Sequence, residues 1–120
     1  MRAAIVRRGT ILVTAVLLIP SLVLAQGSVE KGKSIFARYC VGCHGPAGKG
    51  DGPAAAALSP KPRDLTDKPY MVGLKDQYLF ELIQKGGAAV GKSPLIPALG
   101  SQLKDGEIRD VIAHLRSLAR

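Results

Sequence analysis

The sequence predicts an all-α chain. Three stretches, at about residues 28–39, 75–85 and 105–118, space their apolar residues by three and four, and nothing between them reads as a strand. The connections Gly45–Pro62 and Gly86–Gly100 are rich in Gly, Pro and Ala, the composition of turns and loops.

The first helix starts at Ser28, a residue type that caps orphan amides, and Glu30 sits near its positive end. Val29, Gly32, Phe36 and Tyr39 form one face. Gly32 inside a helix costs about 1 kcal/mol against Ala, which a close helix crossing would justify. Lys75–Lys85 carries the stripe Leu79, Leu82 and Ile83, with Asp76 in the first turn and Gly86 as the C-terminal cap. Lys75 stands where a Ser or Thr cap is expected, so that end is set to fray. Ala54–Leu58 reads as a single helical turn after Pro53. The last helix runs from Asp105 to Leu118 with Ile108, Val111, Ile112, Leu115 and Leu118 on one face and His114 at its edge.

Ahead of these elements, Arg2, Arg7 and Arg8 precede an apolar run of about 15 residues that ends Val23-Leu24-Ala25. A basic head, an apolar centre and small residues at the minus-three and minus-one positions make a secretory signal peptide cleaved after Ala25. The run is short of the roughly 20 residues that cross a bilayer, so an uncleaved anchor is the lesser reading. The chain thus divides into a signal, 1–25, and one small domain, 26–120, with a periplasmic destination. Losing three arginines takes the formal charge from +8 to +5. Mild basicity suits an acidic docking partner, although solubility alone would also explain it. The lysines are scattered and the aromatics number five with no Trp, so nucleic-acid binding has no support. Association with a membrane would come only through a partner or an uncleaved signal.

The chemistry is concentrated in Cys40-Val41-Gly42-Cys43-His44, which holds both cysteines of the chain. A thioredoxin-type dithiol needs a βαβ setting that is missing here. A zinc site needs four ligands, and His114 is the only other histidine. A disulfide across two residues closes a loop too small to stabilise much. The remaining reading is covalent attachment of a c-type haem. Thiols one helical turn apart can each add to a vinyl group on one porphyrin edge, and the next residue, His44, is then placed to bind iron from the proximal side. Haem also supplies the large apolar body that a small domain with few aromatics lacks.

With these residues and the C-terminal helix, the chain resembles the small class I cytochromes c over about residues 28–118. The resemblance implies three main helices and loops wrapped around one covalently attached haem c, held by Cys40, Cys43 and His44. It implies that Gly32 and Phe36 lie where the first and last helices cross, with His114 in a position that is usually aromatic and packs on the first helix. It points to the Pro53 carbonyl as acceptor for the second ring nitrogen of His44. Arg63 is read either as a haem-propionate contact or as solvated. Two propionates would lower the net charge to about +3. The implied function is electron transfer as a soluble carrier or as the haem subunit of a periplasmic redox chain, not catalysis.

One departure stands out. The family commonly places a methionine before a proline in the loop preceding the last helix, and Ile96-Pro97 stands there. Isoleucine cannot bind iron. The sixth ligand is then Met71, the one methionine after residue 25, or another donor such as a lysine or His114, or none. With none, the chain is a five-coordinate haem module that binds or senses small gaseous ligands. The register of Met71 also suits a core residue beside the next helix.

Overall fold

The computed structural model describes residues 26–120, and the predicted signal lies outside the described residues. Five α-helices follow in order: α1 (Val29–Tyr39), α2 (Val41–His44), α3 (Lys68–Gly73), α4 (Asp76–Lys85) and α5 (Asp105–Leu118). Two short 3-10 turns, Ala55–Ala57 and Gly87–Val90, punctuate the loops, and no strand occurs among the described residues.

The three long helices stand where the periodicity puts them. The Ser28 hydroxyl accepts the Lys31 N–H and starts α1. α4 begins at Asp76 after Lys75, whose side chain caps nothing. Ahead of α5, the Glu107 carboxylate accepts the Lys104 N–H at 2.8 Å, half of a capping box without a Ser or Thr. α3, which carries Met71, lies outside the stretches whose periodicity predicts a helix. The Asp67 carboxylate accepts the Tyr70 N–H and a proline follows in the first turn, so the local start signal is complete even though six residues are too few to show a period.

α1 and α5 cross at Gly32. A Cβ there would lie 1.8 Å from the Asp110 carbonyl oxygen and 3.0 Å from the His114 Cβ, so only a glycine lets the two backbones meet. The Asp110 carboxylate accepts the Ser28 N–H at 2.6 Å and locks the start of α1 to the same turn of α5. His114, 5 % exposed, packs edge-on against Phe36 with ring centroids 5.1 Å apart. It is a packing residue, as the resemblance implied, and does not reach the cavity described below.

Phe36, Met71, Leu79, Leu103, Ile108, Val111, Ile112 and Leu115 form one buried cluster beneath the crossing. Arg116 of α5 ties the α3–α4 turn to this core. Its guanidinium donates to the carbonyl oxygens of Met71 and Leu74, the latter at 2.5 Å, and to Asp76 Oδ1 at 2.6 and 2.9 Å.

Candidate functional site

α1 ends at Tyr39, and the chain turns directly into the one-turn helix α2, which carries the second cysteine and the histidine. So short a helix leaves its carbonyls without internal partners. The following loop supplies them: Gly45 N–H bonds Val41 O at 2.9 Å, Ala54 N–H bonds Gly42 O at 2.9 Å, Gly52 N–H bonds Cys43 O at 3.1 Å and Gly50 N–H bonds His44 O at 2.8 Å. Gly45, Gly48 and Gly50 hold φ between 75° and 79°, the left-handed conformation this tight wrap demands. The Gly- and Ala-rich composition of the loop is thus what lets it fold back onto α2.

Beyond that wrap the loop passes over His44. The imidazole Nδ1–H donates to the carbonyl oxygen of Arg63 at 3.1 Å. This replaces the expected Pro53 acceptor. Gly52 and Ala54, the neighbours of Pro53, are bonded back to α2, and Pro53 itself is exposed. The Arg63 guanidinium lies 3.9 Å over the Tyr70 ring and 3.6 Å from the Asp67 carboxylate. With Nδ1 engaged as a donor, the lone pair of Nε2 is left for a metal. Burial pushes the His44 pKa below its ordinary value, partly opposed by the bond to Arg63, so the ring is held neutral as a metal requires.

Cys40, Cys43 and His44 line one cavity of about 430 Å³, within the range of cofactor pockets. Both cysteines are half-buried free thiols. Burial, and the adjacent Cys43, push the Cys40 thiol up to about 11. The same cavity is lined by Leu79, Leu82 and Ile83 of α4 and by Ile96, Pro97 and Leu99 of the second loop. A flat apolar group with one edge at two thiols and a nitrogen donor beneath it fits these residues. The zinc alternative finds no group of three or more His, Cys, Asp or Glu able to hold an ion among the described residues.

Met71 borders this cavity too but is 0 % exposed and sits within the core cluster. Two features had no clear signal in the sequence. One is the Arg63 carbonyl under His44. The other is Tyr78 on the cavity wall, whose hydroxyl is buried without a hydrogen-bond partner among the described residues.

The cytochrome c family model matches residues 29–119. The chain belongs to the cytochrome c family. Its cofactor is haem c, and its fold is the haem-wrapped helical one that the resemblance implied. Among curated proteins it is similar to the cbb3-type cytochrome c oxidase subunit FixP of Bradyrhizobium diazoefficiens, 34 % identical over 88 residues, which covers 73 % of this chain and 27 % of that protein. It is also similar to the cbb3-type cytochrome c oxidase subunit CcoP of Rubrivivax gelatinosus, 33 % identical over 93 residues, covering 78 % of this chain and 27 % of that one. The chain thus spans about a quarter of the length of these relatives. Among solved structures, the KustC0563 c-type cytochrome superposes with a TM-score of 0.58 at 19 % identity over 74 % of this chain and 98 % of its own. A chain of the Kuenenia stuttgartiensis reducing HAO-like protein complex Kustc0457/Kustc0458 gives 0.62 at 24 % identity over 78 % and 43 %. At these identities the two structures speak for the fold.

Proposed function

We propose that this c-type cytochrome domain passes single electrons between redox proteins in the periplasm. The observation that carries the reading is the His44 ring: its Nδ1–H is fixed on Arg63 O, which leaves Nε2 available beside both thiols in one apolar cavity. Cys40 and Cys43 would hold the haem as thioethers, each S–H adding across a vinyl double bond, and His44 would be the proximal iron ligand. When bound, the haem supplies a one-electron couple. The chain's own contribution is to hold the imidazole neutral and oriented and to keep water from the ring with the apolar wall of α4.

Export fits this use, through removal of residues 1–25 before the thiols are loaded. Among the described residues no helix is long and apolar enough to cross a membrane. The net charge of +5 after residue 25 favours a partner with an acidic docking face. Relatives that are subunits of cbb3-type oxidases support a place beside a larger oxidoreductase, as free carrier or as haem subunit. In that arrangement the chain relays electrons and leaves the catalysis to its partner. The test is a redox titration of the exported protein followed by electron exchange with an acidic and a basic redox protein at rising salt. Exchange that is faster with the acidic protein and slows with salt supports the reading; a chain without a reversible one-electron couple overturns it.

A further inference from the structure

The elements that line the cavity differ in what they offer a metal. α2 presents the imidazole of His44. α4 and the second loop line the cavity with the hydrocarbon side chains of Leu79, Leu82, Ile83, Ile96, Pro97 and Leu99, none of which has a lone pair for iron. Of the oxygen-bearing side chains these two elements add, the Tyr78 hydroxyl is buried and the Ser93 hydroxyl accepts the Leu95 N–H. Ile96 is also fixed in place. Its N–H donates to Ser93 O at 3.1 Å, and its carbonyl accepts the Gly87 N–H at 3.0 Å. A Cβ on Gly87 would lie 3.0 Å from the Ile96 Cβ, so the loop is packed closely behind the side chain.

Other donors border the cavity. Met71 holds the one thioether after residue 25. It lines the cavity but is 0 % exposed and packed within the core cluster. Arg116 pins its backbone carbonyl to α5. Lys61 and Lys92 also border the cavity and are exposed to solvent.

We propose that the wall opposite His44 leaves the iron without a protein ligand and forms a binding site for a small neutral diatomic gas, carbon monoxide or nitric oxide. This rests on the haem reading above. The distal pocket decides between electron transfer and ligand binding, and a dry hydrocarbon wall admits a small uncharged ligand while penalising a charged one.

The test uses the full chain, exported by a host that attaches haem, with attachment first verified by intact mass. Absence of covalent haem would sink the haem reading and this inference with it. With haem in place, the dithionite-reduced protein should be high-spin and its Soret band should shift on adding carbon monoxide. Ile96→Met should turn the spectrum low-spin and abolish the shift, and Met71→Leu should leave the gas response of the parent chain intact. A low-spin reduced parent that carbon monoxide does not change overturns the inference and leaves the haem reading standing. So does an unaltered gas response in Ile96→Met, which would remove Ile96 from the wall facing the iron.

Discussion

The His44 Nδ1 lies 3.1 Å from the carbonyl oxygen of Arg63, 19 residues further along the chain. One hydrogen bond therefore sets the tautomer and the direction of the ring from a loop that no local rule connects to it. The loop reaches that position because its first half is spent on the carbonyls of α2 and its second half is held by Arg63 on Tyr70. Site and loop form one unit.

The α1–α5 crossing depends on the missing side chain of Gly32. Ala is the better helix former by about 1 kcal/mol, but its methyl would meet a backbone carbonyl that cannot move aside. We expect Gly32→Ala to lose about 2–3 kcal/mol net, read as a lowered midpoint in urea at unchanged slope. A midpoint equal to or above that of the parent would contradict the crossing.

His114 makes the fold sensitive to acid. Its folded pKa lies below the ordinary 6.5, chiefly through burial and secondly through Lys33, with Glu30 opposing. The unfolded chain thus binds the proton more readily than the folded one. Stability is full above about pH 6.5 and is lost as the pH falls through the window below it. His114→Phe keeps a ring against Phe36 and removes the titration, so its stability should fall less between pH 7 and pH 5. Equal slopes for the two proteins would show that His114 does not carry the effect.

Arg116 is worth more than its one ion pair. Asp76 is 69 % exposed on its side chain, so Asp76→Asn should cost no more than about 1 kcal/mol. Arg116→Met also strands the carbonyls of Met71 and Leu74 and should cost about 2–3 kcal/mol by thermal melting. Similar losses in the two variants would reduce the contact to a surface salt bridge.

The buried hydroxyl of Tyr78 has no hydrogen-bond partner among the described residues. Removing it deletes a polar group that the fold desolvates without return, so Tyr78→Phe should be neutral or stabilising by about 1 kcal/mol. A clear loss of stability would reveal a partner for that hydroxyl.

The parts of this architecture that were legible beforehand are those with local causes. Ser28 caps its own helix, Gly86 ends α4, and the apolar face of α5 repeats from Ile108 to Leu118. The two thiols and His44 were legible because their chemistry fixes their spacing. α3 left a readable trace in Asp67 and Pro69, but Met71 sits among too few residues for a period. The acceptor for His44 was misplaced at Pro53 because loop closure is a long-range event, decided by which carbonyls α2 leaves open. Arg116 gave no signal for the same reason: its partners lie on α3 and α4, 40 to 45 residues away.

The measurement that bears most directly on the central claim is the intact mass of the protein exported by a haem-attaching host, for the parent chain and for the double variant Cys40→Ala, Cys43→Ala. The parent should be cleaved after Ala25 and carry one covalent haem, and the double variant should carry none. A parent with the bare peptide mass, or a double variant that keeps a covalent haem, would contradict that claim.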